Sequence, residues 1–476
     1  MKKIKSIIAL IICIISVAGC APKESEYPHY CKAVPIEEMP TETTVPALPL
    51  PTFSDGETTV PEEPVSSETT SATTPTETAP VETTYISGSQ PMQRADIGFS
   101  NSVNTLGVSL YDEIKGEGNV FYSPYSIDIA LSMLVNGADG GTETELLNLL
   151  GMADISSRNA EISETMKGFN DKKAIVETAN SVWIDEFFEK SAPTRKEFIS
   201  PLKEFYDAEV FHEKFADPAT VKKVNSWISK KTNKMIPKML DRLNNDTVIL
   251  LVNAVYFDGK WQTPFLEDDT TDWTFEGTDG NTTVDMMRQF ETRYKYYSKG
   301  NLKGVSIPYG EGGIVMDVFV ANDNSKKNAV EIFDAMTPEE RLELLSSMEN
   351  ASSEEIFLAI PKFTFETETF SVKENLKSLG VTEVFDPGVA NLRSMSELPD
   401  DYNLYVSDIL HKAKIEVDEN GTKAAAATVV MVDNRCEAIE PYDPKEFIAD
   451  EPFVFTIRDT KTGTILFMGT ISNLSK

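Results

Sequence analysis

The sequence predicts an α+β fold, and three patterns along the chain indicate it. Apolar residues at helical spacing dominate the first half of the folded region, and strand-like runs dominate the second half. Residues 247–257 form a near-continuous apolar run, which is typical of a central strand buried on both faces. Residues 453–457 and 465–469 flank the sequence Asp-Thr-Lys-Thr-Gly, which predicts a strand-turn-strand hairpin. Helices and strands segregated in this way favour α+β architecture.

Residues 127–150 carry the clearest helical periodicity. The apolar positions Ile129, Met133 and Leu134 share one helical face, and the pattern resumes at Leu146. The sequence Gly-Ala-Asp-Gly-Gly at 137–141 interrupts it. Glycine pairs are strong breakers, so we expect the helical structure to be broken there.

The first twenty residues have the pattern of an exported protein. Lysines near the N-terminus precede an apolar run, residues 7–17, that is too short to span a bilayer comfortably. Residues 1–19 are therefore predicted to be a signal peptide. The sequence Val-Ala-Gly-Cys at its end resembles a bacterial lipobox, whose cysteine is lipidated after cleavage, which assigns the lipid to Cys20. An ordinary signal peptide with an incidental cysteine is the alternative.

Residues 20–93 are predicted to be the lipidated cysteine followed by a disordered linker. The linker is rich in Thr, Pro, Glu and Ser and has few large apolar residues, so it cannot bury enough surface to offset the entropy of ordering. Proline stiffens such a segment. The folded domain, residues 94–476, follows without a comparable break and would be held away from the membrane.

Charge and cysteine content exclude several classes of protein. The chain has 44 Lys and Arg against 76 Asp and Glu, a formal net charge of −32. Nucleic acid and anionic membrane surfaces would repel it, so neither is an expected partner. Of the four cysteines, Cys13 lies in the signal peptide and Cys20 would carry lipid, which leaves Cys31 and Cys436. A disulfide scaffold is excluded, and the fold must depend on an ordinary apolar core.

Signatures of enzymes are nearly absent. The three histidines are His29 in the linker, His212 and His411, and no Cys/His cluster has zinc-ligand spacing. The sequence has no Gly-x-Ser-x-Gly elbow, and Gly140-Gly141-Thr142 lacks the lysine of a phosphate loop. We therefore predict no catalytic residues, no metal and no cofactor.

Several motifs in the folded region occur together in one known family. They are Asn-Val-Phe-Tyr-Ser-Pro-Tyr-Ser at 119–126, Asn-Gly-Ala-Asp-Gly-Gly-Thr at 136–142, Asn-Ser-Trp-Ile at 225–228, Leu-Val-Asn-Ala-Val-Tyr-Phe-Asp-Gly-Lys-Trp at 251–261, Pro-Lys-Phe at 361–363, Asp-Glu-Pro-Phe-Val-Phe at 450–455 and Leu-Phe-Met-Gly at 466–469. In this order they resemble the serpins, suicide inhibitors of proteases, over essentially all of residues 95–476. The resemblance implies helices packed on a large central mixed sheet, two smaller sheets, and an exposed reactive-centre loop.

Residues 417–430 resemble the hinge of that loop. A charged, turn-forming start leads into four alanines, which favour helix, and then into β-branched residues, which favour strand. The resemblance assigns the loop to about 419–450 and its hinge to Glu419, Gly421, Thr422, Ala424, Ala425, Ala426, Ala427 and Thr428. If the loop inserts as a strand, alternate residues counted from Thr422 face the core, and all of them are small or β-branched.

The resemblance also assigns roles inside the sheet. Ser123, Ser126, Asn253 and His411 correspond to the shutter, a polar cluster beneath the sheet that must open for the loop to enter. Each is also a buried polar group that needs hydrogen-bond partners. Trp261 corresponds to the breach, where insertion begins. The alternative is an ordinary core tryptophan, and both interpretations predict that the side chain is buried.

Counting along the loop places the scissile bond. In this family it usually lies sixteen residues beyond the hinge glutamate, which gives Arg435-Cys436. An arginine bait implies a trypsin-like target with an acidic specificity pocket. The segment 436–450 is longer than usual, so Met431, Val432 and Asn434 remain alternative baits, for elastase-like or cysteine proteases.

These patterns predict an inhibitor and not an enzyme. Its expected partner is a serine protease held as a covalent acyl complex, and the protein is expected to be a monomer on the extracellular face of a bacterial membrane, anchored at Cys20. Heparin is not expected as an activator, because residues 160–171 contain no basic cluster. A non-inhibitory serpin acting as a surface binding module is one alternative. A solute-binding lipoprotein is another, although repeated α/β units are missing.

Overall fold

The computed structural model describes residues 7–20, 97–116, 118–169, 174–420 and 444–475. The chain divides into a unit of Met1–Tyr30 with Gln93–Lys476, to which every described residue belongs, and a second unit, Cys31–Met92, outside the described residues. Within the described ranges, no helix is both long enough and apolar enough to cross a membrane.

Helices and strands are interleaved along the chain. The helices are α1 Phe99–Ile114, α2 Pro124–Val135, α3 Gly140–Leu149, α4 Ile155–Gly168, α5 Glu186–Ser191, α6 Lys196–Tyr206, α7 Pro218–Lys231, α8 Ala329–Asp334, α9 Pro338–Ser347 and α10 Lys373–Ser378. The strands are β1 Ile7–Cys20, β2 Val120–Tyr122, β3 Ala174–Asp185, β4 Glu209–Glu213, β5 Thr247–Gly259, β6 Thr271–Gly277, β7 Gly280–Lys299, β8 Leu302–Tyr309, β9 Ile314–Ala321, β10 Ser352–Pro361, β11 Phe363–Glu366, β12 Phe370–Ser371, β13 Asn403–Val417, β14 Lys445–Ile448, β15 Phe453–Asp459 and β16 Ile465–Ile471.

The first sheet has seven strands in the order β11-β13-β1-β5-β3-β4, with β12 beside β13. Strand β1 is antiparallel to both β5 and β13, so these two strands run in the same direction on either side of it. Strand β4 is parallel to β3, and β3 is antiparallel to β5. The predicted large mixed sheet is confirmed.

The second sheet has nine strands in the order β14-β10-β7-β8-β9-β15-β16-β2, with β6 beside β7. The resemblance implies two smaller sheets beside the large one, and here their strands form one continuous sheet. The reason is the length of β7, which pairs with β6 along its first part and with β8 along its last residues.

Three local predictions are confirmed. Strand β5 covers the apolar run 247–257 and is buried along almost its whole length. Strands β15 and β16 form the antiparallel hairpin. The helical pattern at 127–150 breaks between α2 and α3, where Gly140 has a φ of +60°, a conformation that glycine adopts readily.

Helix α2 is positioned by its N-terminus. Ser123 is the N-cap and its side chain accepts a hydrogen bond from the Ser126 N–H, while Pro124 occupies the first helical position. All of α2 is buried, because it packs against the first sheet on one side and the second sheet on another. This cap fixes where the first turn of α2 meets β5 and β13.

Alternation along β5 divides the core between the two faces of the first sheet. Leu251 and Val255 belong to the main core, which includes α2, whereas Leu250 and Val252 belong to a second cluster with Trp227 of α7. Successive side chains of a strand point to opposite faces, so a strand between two such layers must be apolar on both.

Strand β1 was not predicted. Its residues are the apolar part of the pattern from which the signal peptide was inferred, and no strand was assigned to them. In the structure they form an inner strand of the first sheet. A short apolar run without periodicity is compatible with either interpretation, since both require only uncharged residues.

Candidate functional site

The four residues assigned to the shutter lie together beneath the first sheet. The Ser123 N–H donates to His411 Nε2 at 3.3 Å, and Ser126 Oγ donates to Asn253 Oδ1. All four side chains are completely buried. They come from the start of α2, from β5 and from β13, so the cluster joins three elements that meet at one level of the sheet. Their role in sheet opening remains a prediction.

Sequence reasoning missed a further member of this cluster, Asn180 on β3. It lies opposite Asn253 in the strand register, and its Oδ1 accepts a hydrogen bond of 2.8 Å from Asn253 Nδ2. Its own Nδ2 donates to the carbonyl of Tyr206 at 2.7 Å. In the sequence, the sign of this role was an amide side chain within a strand. Recognising that Asn180 meets Asn253 requires the register of β3 against β5.

His411 is a neutral acceptor within this cluster. Its ring is fully buried and makes a T-shaped contact with the ring of Phe370, with centroids 5.5 Å apart. Its Nδ1 has no hydrogen-bond partner among the described residues. Burial lowers the pKa of His411 to about 3. The imidazole is therefore uncharged at neutral pH, and charging it would place a cation in the core.

Strand β1 passes through the same level. Cys13 pairs in register with Asn253 on one side and with His411 on the other. Its side chain is completely buried, and burial raises the pKa of the Cys13 thiol. The space between β5 and β13, which we call the slot, is thus filled at the shutter by a small apolar side chain.

The breach residue Trp261 lies just beyond the end of β5. Its ring stacks on Tyr309 with centroids 4.4 Å apart, and Nε1 donates to the carbonyl of Asp418 at 2.9 Å. Only 2% of its surface is exposed. The tryptophan therefore ties the end of β5 to the first residue after β13.

Glu419 is held by both backbone and side chain. Its carbonyl accepts from the Phe265 N–H at 2.9 Å. Its buried carboxylate accepts from Thr270 Oγ1 at 2.9 Å and pairs with Lys362 Nζ at 2.9 Å. Lys362 stands in the Pro-Lys-Phe motif of the sequence, yet no role was assigned to it there, and Thr270 was not noticed.

The remaining loop residues lie outside the described part of the chain. They are Gly421, Thr422, Ala424, Ala425, Ala426, Ala427, Thr428, Arg435 and Cys436. The chain resumes before β14, which pairs in parallel with β10 in the second sheet. Residues 421–443 therefore connect an inner strand of the first sheet to the edge of the second.

Within the described residues, no group of three or more His, Cys, Asp or Glu side chains is arranged to hold a metal ion. Apart from His411 Nδ1, the polar groups described above have hydrogen-bond or ion-pair partners, and they lie beside the slot or at its end.

Comparisons with known proteins agree with this architecture. The family model described as Serpin (serine protease inhibitor) matches residues 101–474. A serpin-like protein of Thermococcus kodakarensis is 30% identical over 380 residues, 78% of this chain and 85% of that protein. Serpin B4 of Homo sapiens is 32% identical over 382 residues, 75% of this chain and 94% of that protein. The crystal structure of tengpin, a thermophilic serpin, in the native state has a TM-score of 0.68 and 29% identity, covering 79% of this chain and 94% of that one.

His411 gives the site a specific pH dependence. The unfolded state takes up the proton near the ordinary histidine pKa of about 6.5, whereas the folded state resists it down to about 3. Folded-state stability therefore falls as the pH drops below about 6.5. Relative to His411→Gln, which retains an acceptor for the Ser123 N–H, the wild-type chain should lose about 1.4 kcal/mol of unfolding free energy per pH unit.

Denaturant unfolding at intervals from pH 8 to pH 4 measures this difference. His212→Gln, at a histidine whose side chain is 47% exposed, controls for the loss of a histidine as such. A wild-type-minus-His411→Gln difference that stays flat across this range would contradict a buried neutral imidazole.

The Lys362–Glu419 pair should stabilise the point where the chain leaves the sheet. Lys362→Met leaves a buried carboxylate with Thr270 as its remaining side-chain donor, so we expect a loss of about 1–3 kcal/mol of unfolding free energy. Because the Lys362 side chain is 34% exposed, the loss should be smaller than for a fully buried pair.

A double-mutant cycle with Glu419→Gln isolates the pair and should give a coupling energy of about 1 kcal/mol or more. Lys445→Met is the matched control, since that lysine pairs with Glu354 at 3.3 Å on the surface and should cost less than about 1 kcal/mol. Additive effects in the cycle would show that Lys362 does not support Glu419.

Proposed function

Because this chain belongs to the serpin family, we propose that it is a suicide-substrate inhibitor of a serine protease. Serpins are generally protease inhibitors and not enzymes. The observation that carries the proposal for this chain is the geometry around the slot. The sheet holds one antiparallel strand between β5 and β13, and the candidate loop leaves β13 at one end of that slot.

The direction of the chain supports insertion. Strand β13 ends at Val417, beside Trp261, and the next residues are fixed by the contacts of Asp418 and Glu419. A segment that turned back at this point would run antiparallel to β13, which is the direction that β1 takes. The alternating small residues counted from Thr422 suit a strand whose inward face meets a packed core.

The chemistry of the trap then uses the target's own catalytic serine. The serine oxygen attacks the carbonyl carbon of Arg435, the bond from Arg435 to the nitrogen of Cys436 breaks, and the new amine takes up a proton as it leaves. An ester joins the loop to the protease. Insertion of the loop would displace the ester from the catalytic groups of the protease that would otherwise hydrolyse it. One inhibitor is therefore consumed for each protease.

A trypsin-like target follows from the arginine bait. A guanidinium is recognised by a carboxylate at the base of the specificity pocket. Met431, Val432 and Asn434 remain alternative baits for other protease classes, and Arg435 is preferred because it stands sixteen residues beyond Glu419.

We further propose that the protein acts from the outer surface of a bacterial membrane. The support is the lipobox-like sequence that ends at Cys20 and the Thr- and Pro-rich segment that follows it. Buried lipid chains contribute roughly 0.8 kcal/mol per CH₂, and more than one chain gives stable anchoring.

Incubation of residues 20–476, carrying Cys20→Ser, with trypsin tests the proposed inhibition. We expect a covalent complex that survives denaturing electrophoresis. Arg435→Ala should reduce its rate of formation by at least about 100-fold, because the charged pocket of trypsin is then left empty. Arg293→Ala, at an arginine outside the loop whose side chain donates to the carbonyl of Ser353 at 2.9 Å, is the matched control and should retain the complex.

Cleavage of the chain without any complex would contradict the inhibitory function and favour a non-inhibitory serpin. A complex that persists with Arg435→Ala would keep the function but move the bait to another residue.

A further inference from the structure

The slot between β5 and β13 is occupied by the N-terminal segment of this same chain. Strand β1 pairs with β13 continuously from Ile8 to Cys20, apart from one irregularity at Ser16/Val17. It pairs with β5 from Ile7 to Ala18. The backbone ladder of the first sheet is thereby continuous from β11 to β4. Residues 7–20 take the place of one complete strand.

Between Cys13 and Val17, both faces of β1 are packed. Cys13, Ile15 and Val17 belong to the main core on the α2 side of the sheet. Ile14 belongs to the second cluster on the α7 side, with Trp183 and Leu250. These side chains are all completely buried. The segment therefore meets the requirement of the slot for a strand that is apolar on both faces.

The C-terminal end of β1 is also held by hydrogen bonds. The Gly19 N–H donates to the carbonyl of Asp246 at 3.0 Å, and Ser407 Oγ donates to the carbonyl of Ser16 at 3.1 Å. A side chain at position 19 would collide with the Tyr402 ring, so the absence of a side chain on Gly19 lets the strand pass beneath it. The slot is filled from the level of Gly259 to the level of Asn403.

Two strands cannot occupy this slot. Strand β1 runs antiparallel to β13, as an inserted loop would, and it uses the hydrogen-bonding edges of β5 and β13 that the loop would need. It also places Cys13 between Asn253 and His411, at the level of the shutter.

We propose that residues 7–20 are an internal blocking strand that keeps the unprocessed chain from inserting its loop, and that removal of residues 1–19 makes the protein competent. This inference rests on the proposed inhibitory function and adds a regulation of the same site. The uncharged residues 13–18, which suit an export signal, are also buried in the slot. Cleavage of the predicted signal peptide would therefore activate the inhibitor as it is exported. An inhibitor retained inside the cell would stay inert towards proteases there.

The test uses the full chain with Cys20, Cys31 and Cys436 replaced by serine, so that Cys13 is the remaining thiol. Ile15→Asp places a carboxylate in the main core and should expel β1, and Ile15→Val is the matched control that keeps it. Ile14→Asp repeats the perturbation on the α7 face, in case the first variant does not fold. Two readouts are compared: the rate of maleimide labelling of Cys13, and the formation of a denaturant-stable complex with trypsin.

We expect Cys13 to be protected in the parent chain and in Ile15→Val, and both should be cleaved without forming the complex. In Ile15→Asp or Ile14→Asp, Cys13 should label at least about 10-fold faster, because the strand has left the sheet. These variants should also form the complex.

Equal labelling of Cys13 in the parent and Asp variants would overturn the occupation of the slot. Protection of Cys13 in a parent chain that forms the complex as fast as Ile15→Asp would overturn the blocking role. The chain that begins at residue 20 separates the two hypotheses: if it forms no complex, the inhibitory function fails, while Cys13 protection still decides where β1 lies.

Discussion

The rest of this structure depends on one constraint. Without a strand between them, β5 and β13 would each face the other with unpaired backbone N–H and C=O groups. They run in the same direction with one strand's width between them, and the strand in that space pairs antiparallel with both. Buried backbone N–H and C=O groups need partners, so the sheet must either hold a strand there or close the gap. Among the described residues, the shutter cluster, Trp261 and Glu419 lie along this slot or at its end.

Two polar clusters mark different levels of the slot. At its middle, Ser126, Asn253 and Asn180 form a chain of hydrogen bonds from α2 across β5 to β3. At the end of the slot beside Trp261, Lys362 and Thr270 bind the carboxylate of Glu419, where the candidate loop begins. Buried polar networks are stable only when their members are paired. The predicted opening of the sheet at the shutter would require the contacts of the first cluster to be exchanged, whereas the second cluster fixes the residue from which the candidate loop departs.

Much of this fold could be predicted from the sequence. The run at 247–257, the hairpin of β15 and β16 and the break between α2 and α3 depend on local patterns and were predicted. Ser123, Ser126, Asn253 and His411 were found through family motifs and lie together. Asn180, Lys362 and Thr270 were missed because their importance comes from register and from contacts between distant segments. Strand β1 was missed because an uncharged apolar run satisfies a signal peptide and an inner strand equally.

Amide hydrogen exchange of the full chain, followed by mass spectrometry of its peptides, tests the filled slot most directly. If β1 supplies the partners of β5 and β13, the amides of residues 8–18 should exchange as slowly as those of β5, since both belong to the same ladder. Immediate exchange of residues 8–18, in a chain whose hairpin of β15 and β16 stays protected, would contradict this account.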